Sequence, residues 1–203
     1  MKLFQEFNMC RTHPAVYADK IERHKQYIYE NQLSETGNDF AKYIYENTSL
    51  NGPKILLKDG PSKLIEFANI LRNMEPLKEF KYNPDLCIPV PEKNSWTKKE
   101  VFSKLVKNKK LELKTNNISF HFDVGYADAE TTAVLQLIDD NVFFKGKRRQ
   151  HILGEKHLEI GITNMIDGRK NCCYITLLHN NMDRKNTDLY KSIVSSEYAE
   201  LNN

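Results

Sequence analysis

Four cysteines and six histidines are the residues best suited to nucleophilic chemistry in this chain of 203 residues. A thiolate at Cys172 or Cys173 would need an imidazole base, and the candidates are His151, His157 and His179. Cysteines on a strand are more often small core hydrophobes, and we favour that interpretation. Neighbouring cysteines on a strand also point to opposite faces, so these two are not expected to form an ordinary disulfide.

Two adjacent carboxylates, Asp139 and Asp140, are the strongest candidates for metal ligands. They follow an apolar run that predicts a helix, and adjacent residues on a helix diverge by about 100°. Two side chains that diverge in this way rarely face one ion. We therefore expect one aspartate to cap the next turn and the other to be solvated.

The sequence lacks the common catalytic and cofactor motifs. It contains no G-x-S-x-G, no P-loop and no Gly-rich dinucleotide fingerprint, so no motif supports a hydrolase, nucleotide-binding or dehydrogenase function. It also contains no C-x-x-C, which removes the usual zinc-ribbon and thioredoxin interpretations. We expect no cofactor and no catalytic residue.

Basic residues are concentrated in two segments although the formal net charge is only +3. The candidates for contact with a partner are Lys98, Lys99, Lys104, Lys107, Lys109 and Lys110 in the first segment, and Lys145, Lys147, Arg148 and Arg149 in the second. Trp96, beside the first segment, either anchors an interface or belongs to the core. The lysines are either a solvated helix face or a contact to an acidic partner. Few aromatic residues interleave with them, so nucleic acid is not the expected partner.

Composition predicts a globular chain. Hydrophobic residues make up 40% of it and charged residues 28%, which is enough to form a core. No apolar run approaches the roughly 18 residues of a membrane span. The first residues, MKLFQEFNMCRTHP, have no apolar core of a signal peptide. We expect one domain over 1–181, with a basic helical insertion at 93–114, a polar tail at 182–203 and a location in the reducing cytoplasm.

The elements that must position these residues follow from apolar spacing. Helical spacing predicts a helix over 4–31 that is broken at Pro14, with Thr12 as the N-cap of its second part. It predicts a further helix that begins at its N-cap Ser62 and ends at Pro76. The other predicted helices are a short one over 40–51, a basic one from 95 or 97, one over 128–139 and a short one over 189–194. Alternation predicts a strand at 118–122 and a β-hairpin whose arms are 158–162 and 173–177. The segment 76–95 is expected to be extended and irregular.

The pentapeptide Tyr-Ile-Tyr-Glu-Asn occurs twice, at 27–31 and 43–47. Because both copies lie in segments predicted to be helical, the tyrosines of each copy are expected to point to different sides. One tyrosine of each copy would then enter the core while the other meets a partner.

Three segments in order resemble the CAP domain family (cysteine-rich secretory protein, antigen 5 and pathogenesis-related protein, also called SCP-like). FNMCRTHPAVYADKI at 7–21 is similar to the family's opening helix, N-x-x-R-x-x-P followed by a tyrosine and a small residue. PSKLIEFANILRNMEPLKEFKYNPDL at 61–86 resembles the divergent eukaryotic branch. AVLQLIDDNVFFKGKRRQHILGEKHLEIGI at 133–162 resembles the family's L-[IV]-D-D segment with R-G-H-R and a following strand. The resemblance implies an α+β fold, a three-layer α-β-α sandwich with a small, mostly antiparallel sheet.

The resemblance also implies what has changed at the family's metal site, which uses two histidines and two glutamates. Lys147 stands where the family has the histidine of R-G-H-R, and an ammonium repels a cation instead of binding it. His121 is the nearest remnant of the other histidine. We expect that the metal site is lost.

The sequence therefore predicts a non-catalytic, degenerate CAP-like subunit of a larger intracellular assembly. The expected partners are proteins with acidic surfaces. The microtubules of the cytoskeleton or of the ciliary axoneme are one assembly to which such a subunit could belong. Two alternatives stay open: a CAP-type protein that binds lipid, sterol or metal in a cleft, and a protease for which His121 and Cys173 are the only candidate residues.

Overall fold

A computed structural model describes residues 2–32, 41–50, 52–87, 118–126, 128–140, 147–155, 157–166 and 172–180. The chain groups into two compact units, each made of two stretches. The first unit is Met1–Glu79 with Val124–Glu155, and the second unit is Phe80–Asp123 with Lys156–Asn203. The single domain expected over 1–181 stays a prediction, since a compact unit need not fold alone. The basic helix, the polar tail and its short helix lie outside the described residues.

The described residues of the first unit include five α-helices: α1 (Lys2–Thr12), α2 (Pro14–Arg23), α3 (Pro61–Arg72), α4 (Ala129–Ile138) and α5 (Lys147–Ile152). In α1, α2 and α3 the apolar residues recur every three or four positions, so each of these helices has one buried face, whereas α4 is buried on nearly all sides. The buried apolar residues of the first three helices are Leu3, Phe7, Cys10, Tyr17, Ala18, Ile21, Leu64, Phe67, Ala68 and Leu71. These faces pack α2 against α3 and α1 against both α2 and α4.

The break at Pro14 is confirmed, but α3 ends at Arg72 and not at Pro76, and the predicted caps are wrong. Pro14 separates α1 from α2 and occupies the first turn of α2, where its missing N–H costs no hydrogen bond. The N-cap of α2 is His13, and the Thr12 hydroxyl instead donates to the Asn8 carbonyl at 2.9 Å. The N-cap of α3 is Gly60, whose φ of +55° favours glycine, and the Ser62 hydroxyl donates to the carbonyl of Asp59.

A three-stranded antiparallel sheet replaces two predicted helical stretches. Its strands are β1 (Ile28–Glu30), β2 (Tyr43–Tyr45) and β3 (Ile55–Leu57), in the order β1-β2-β3. The expected helix over 40–51 is therefore wrong in its described part, and a 3-10 turn at His24–Tyr27 ends α2 before β1. Isoleucine and tyrosine fit a pleated, half-buried surface, which favours a strand once a partner strand is present.

The two copies of Tyr-Ile-Tyr-Glu-Asn pair with each other in this sheet. Ile28 lies opposite Tyr45, and Tyr29 lies opposite Ile44. Tyr43 and Tyr45 lie two residues apart on β2 and share one face, so the expectation that they point to different sides is wrong for the second copy. In the first copy Tyr27 belongs to the 3-10 turn and packs against the cluster around Tyr45, while Tyr29 is exposed. The two copies differ in exposure, because Tyr29 on the edge strand is 53% exposed while Tyr45 on the central strand is fully buried.

The second unit contains a four-stranded sheet in the order β4-β6-β7-β5, formed by β4 (Lys81–Tyr82), β5 (Ile118–Gly125), β6 (His157–Ile166) and β7 (Cys172–Asn180). The strands β6 and β7 form the predicted hairpin, with Ile162 opposite Thr176, while β4 pairs with β6 in parallel. The predicted strand at 118–122 and the predicted helix at 128–139 are also confirmed, as β5 and α4. The described chain is thus a mixture of helix and strand that includes small antiparallel sheets. None of its described helices has the length and apolar character needed to cross a membrane.

Candidate functional site

A line of polar side chains crosses the interior of the first unit and joins α1, α2, β2 and α4. We call it the polar chain, and its members are Tyr17, Glu6, Lys20, Glu130, His24 and Tyr45. Lys20 and His24 lie four residues apart on α2 and the turn after it, so both face the same side. Their partners come from distant parts of the chain, and Glu130 is 106 residues from His24.

At one end of the polar chain, an ammonium lies between two carboxylates. The Lys20 Nζ is 2.9 Å from Glu6 Oε2 and 3.2 Å from Glu130 Oε2, and the Tyr17 hydroxyl donates to Glu6 Oε2 at 3.0 Å. Burial alone lowers the pKa of Lys20, but the hydrogen bonds and charges of Glu6 and Glu130 outweigh it and raise that pKa. Lys20 therefore stays charged and neutralises the carboxylates beside it.

At the other end, a buried imidazole lies between a phenol and a carboxylate. His24 Nδ1 is 2.7 Å from Tyr45 Oη, and His24 Nε2 is 3.3 Å from Glu130 Oε1. This arrangement assigns the neutral tautomer, in which Tyr45 donates to Nδ1 and the Nε2–H donates to Glu130. His24 is 3% exposed, and burial lowers its pKa although Glu130 acts in the opposite direction. The imidazole is therefore held neutral by the fold.

A phenol, an imidazole and a carboxylate in hydrogen-bond contact are a combination that general acid–base catalysis also uses. Catalysis requires a reacting atom to reach one of these groups. The Tyr45 ring is fully buried against Tyr27, Tyr126 and Leu57, and burial raises the pKa of Tyr45. A substrate therefore cannot reach the phenol that would serve as nucleophile or acid. We assign the polar chain a structural role, which is to hold secondary-structure elements together.

A second buried charge joins three segments of the first unit. We call it the Arg11 clamp, because the Arg11 guanidinium donates to the backbone carbonyls of Lys78 at 2.7 Å, Ile152 at 2.6 Å and Gly154 at 3.1 Å. Arg11 is only 1% exposed. Burial lowers its pKa to about 10, which leaves the guanidinium charged at neutral pH. The clamp ties α1 to the extended segment after α3 and to the end of α5.

The two adjacent aspartates at the end of α4 serve as caps and not as ligands to one ion. Asp139 Oδ2 accepts from the backbone N–H of Arg148 at 2.9 Å and so caps α5, as predicted for one of the pair. Asp140 Oδ2 accepts from the N–H of Asp59 at 3.0 Å and of Gly60 at 2.6 Å. The expected exposure of the other aspartate is wrong, since both are 6% exposed. Burial raises the pKa of both carboxyls.

The second basic segment is only partly on the surface. Lys147 is exposed at the start of α5. The Arg148 side chain is 8% exposed and lies 4.0 Å from Asp139, so it faces the interior and not the partner surface predicted for it. The Arg149 guanidinium lies over the ring of Phe67 at 5.1 Å, which partly withdraws it from solvent. Lys145, Trp96 and the six lysines from Lys98 to Lys110 lie outside the described residues.

The side chains of Cys172, Cys173, His157 and His179, which were proposed for nucleophilic catalysis, lie outside the described part of the structure. His121 is buried on β5 in the second unit, while His151 is half-buried on α5 in the first. Burial lowers the pKa of His151, and the charge of Lys147 lowers it further. Burial strongly raises the pKa of the Cys10 thiol, which keeps it protonated. Within the described ranges, no group of three or more His, Cys, Asp or Glu side chains is placed to hold a metal ion.

The polar chain was not predicted from the sequence. One signal was present: Tyr17, Lys20 and His24 recur at helical spacing on a face that is otherwise apolar. Their partners could not be inferred, because Glu6, Tyr45 and Glu130 come from three other elements.

Comparisons with protein-family models, with curated proteins and with solved structures give no significant match to this chain.

Proposed function

We propose that the protein is a non-catalytic structural subunit of a larger intracellular assembly, and that it docks on an acidic protein surface through its basic side chains. The CAP-like three-layer sandwich is part of the same proposal. The proposal rests on how the first unit uses its buried ionisable side chains. The Arg11 clamp, the polar chain and the two aspartate caps all bind other parts of the same unit. Side chains that are committed to the fold in this way support a structural role.

The buried positions of the opening segment are compatible with the CAP-like part of the proposal. Arg11, Pro14, Tyr17 and Ala18, which match the family's opening helix, are all buried. Lys147, which stands at the family's histidine position, is exposed at the start of α5. A lysine in solvent is available to an acidic partner, and it offers no ligand to a cation.

Charge reversal in the first basic segment tests the docking surface. The full chain carrying Lys98→Glu, Lys99→Glu, Lys104→Glu and Lys107→Glu is compared with wild type for co-sedimentation with microtubules, whose surface is acidic. We expect wild type to pellet at about 50 mM salt and to be released at about 300 mM, because salt screens exposed charges. The reversal should weaken binding by at least about tenfold, since complementary charges otherwise become repulsive.

A matched control separates the position of the charges from their number. Lys25, Lys42, Lys58 and Lys78 are exposed in the described structure, and reversing these four changes the net charge by the same amount. We expect this variant to pellet like wild type. Equal loss in both variants would indicate unspecific attraction. Undiminished pelleting of the first variant, or failure of wild type to pellet at low salt, would refute docking of this segment on microtubules.

A further inference from the structure

The three-stranded sheet of the first unit carries an apolar row on the face that points away from the core. Tyr29 lies opposite Ile44, and Ile44 lies opposite Leu56, so these three side chains form one row across β1, β2 and β3. Neighbouring residues on a strand point to opposite faces, so Tyr45 and Leu57, which are buried in the core, lie on the other face. Tyr29 is 53% exposed, and Ile44 and Leu56 are half-buried. We call the side with this row the outer face.

Charged side chains flank the apolar row on both sides. On one side Glu46 lies opposite Lys54, and the two form an ion pair at 3.1 Å. On the other side the same register places Lys42 opposite Lys58, and both lysines are exposed. Among the described residues, neither of these two lysines has a carboxylate within ion-pair distance. Like charges directly opposite each other are unfavourable in a sheet, so this pair is suited to a partner that brings negative charge.

We propose that the outer face binds an amphipathic helix of an acidic partner protein. The apolar row spans two inter-strand steps, about 10 Å in all. Two turns of a helix cover about 11 Å, so apolar residues at i, i+4 and i+7 of the partner match Tyr29, Ile44 and Leu56. An extended segment repeats its side chains on one face only about every 7 Å and therefore fits this row less well.

The charges of the outer face define which helix fits. Lys42 and Lys58 are one inter-strand step apart, about 5 Å, which matches two carboxylates one turn apart along the flank of a helix. The row of Glu46 and Lys54 is neutral because its two charges are paired with each other. The helix that fits therefore carries its negative charge on one flank only. Tyr29 is the most exposed member of the apolar row and is the expected anchor, since tyrosine is enriched among the residues that dominate binding energy.

This binding site is separate from the first basic segment, and the two proposals can fail independently. Reversal of Lys42 and Lys58 is not expected to change pelleting with microtubules. Reversal of the lysines from Lys98 to Lys107 is in turn not expected to change binding at the outer face. Each proposal therefore has its own readout.

Binding of a synthetic peptide to the full chain tests the outer face. The fluorescently labelled probe has about 15 residues, which is long enough to form a helix. It carries leucine at i, i+4 and i+7 and two glutamates one turn apart on one flank, and its scrambled version has the same composition without this order. We expect fluorescence anisotropy at about 50 mM salt to give a Kd of about 50 μM for the ordered peptide, because the contact area is small. The scrambled peptide should show no saturable binding.

Charge reversal locates the contact of the lysines. Lys42→Glu with Lys58→Glu should weaken binding of the ordered peptide by at least about tenfold, because attraction becomes repulsion. The matched control is Lys2→Glu with Lys78→Glu, which changes the net charge by the same amount at exposed positions outside the sheet and should bind like wild type. A second peptide, with lysines in place of the two glutamates, should bind the Lys42 and Lys58 variant at least about tenfold more tightly than it binds wild type.

Truncation of Tyr29 tests the apolar row. Tyr29→Ser should weaken binding by about tenfold, while Val16→Ser, at a residue of α2 that is 59% exposed, should leave it unchanged. The proposal is overturned if the ordered peptide fails to bind wild type, if both charge variants lose binding equally, or if the scrambled peptide binds as tightly as the ordered one. Pelleting with phosphatidylserine vesicles or dimerisation of the chain, either one abolished by Tyr29→Ser while the peptide does not bind, would assign the face to a membrane or to a second copy and would also overturn it.

Discussion

The Arg11 clamp and the polar chain both hold distant segments of the first unit together, but they use different kinds of hydrogen-bond partner. Each joins segments of the first unit that are far apart in sequence, and each places ionisable groups in the interior. The partners of Arg11 are backbone carbonyls, which cannot titrate. The partners of His24 and Lys20 are carboxylates and a phenol, and the imidazole can itself take up a proton.

The difference separates a permanent attachment from a conditional one. Burial lowers the pKa of Arg11 only to about 10, so the clamp keeps its charge throughout the physiological range. The pKa of His24 is lowered by burial, so the strength of its contact with the small sheet is expected to vary with pH. A buried cation held by neutral acceptors is therefore a fixed structural element, whereas a buried neutral base among ionisable partners responds to its surroundings.

The largest effect is expected at the permanent attachment. Arg11→Met should destabilise the protein by about 4 kcal/mol, because three carbonyl acceptors lose a charged donor in the interior. The loss should be the same at about pH 7.5 and about pH 5.5. Urea denaturation at both pH values measures it, with Arg23→Met at an exposed arginine of α2 as the control. A loss below about 1 kcal/mol would show that water replaces the guanidinium and that the clamp is dispensable.

The buried carboxylate of Asp140 allows the same comparison to be made for an anion. Asp140→Asn should destabilise by about 2 kcal/mol, because an amide replaces one of the two oxygens that accept from the Asp59 and Gly60 N–H groups. The same denaturation measurement applies. Asp59→Asn, which changes an exposed carboxylate in the same loop, is the control and should alter stability little. Equal effects of both substitutions would assign the loss to loop charge and not to the cap.

The conditional attachment should give a smaller effect that depends on pH. Tyr45→Phe keeps the ring but removes the hydroxyl that donates to His24, and should cost about 1.5 kcal/mol at neutral pH. Because the pKa of His24 is depressed, its contribution is present above pH 6.5 and is lost as pH falls through the lower pKa of the folded form. The cost of Tyr45→Phe should therefore shrink at about pH 5.5.

The repeated pentapeptide provides the control for Tyr45→Phe. Tyr29 occupies the equivalent position in the other copy and is 53% exposed, so Tyr29→Phe should be close to neutral at both pH values. Thermal or urea unfolding of the two variants gives the comparison. A cost of Tyr45→Phe that is equal at both pH values would argue that the phenol contributes independently of the proton on His24.

The smallest effect is expected at the exposed end of the polar chain. The Lys20 side chain is 21% exposed and that of Glu130 is 36% exposed, so solvent screens their ion pair. Lys20→Met should cost only about 0.5 kcal/mol, and added salt should reduce the difference from wild type. Lys25→Met, at an exposed lysine of the following turn, is the control. A cost above about 2 kcal/mol would mean that the pair behaves as a buried one and belongs with the Arg11 clamp.

Local signals in the sequence determined part of the fold. The hairpin of β6 and β7, the helix α4 and the break at Pro14 follow from alternation, helical spacing and the geometry of proline, which act within a few residues. The capping role of Asp139 is equally local, since its partner Arg148 is nine residues away. Each of these features needs no distant partner to be specified.

The tertiary structure decided the short strands and the interior polar groups. Three residues from Tyr43 to Tyr45 are too few to show a period, and their strand exists because β1 and β3 supply partners. Whether Arg148 faces a partner or the interior depended on how α5 packs on α4. Whether Asp140 is solvated or buried depended on the distant N–H groups of Asp59 and Gly60. The polar chain was settled in the same way, because a hydrogen bond between His24 and Glu130 spans 106 residues and leaves no trace in local spacing.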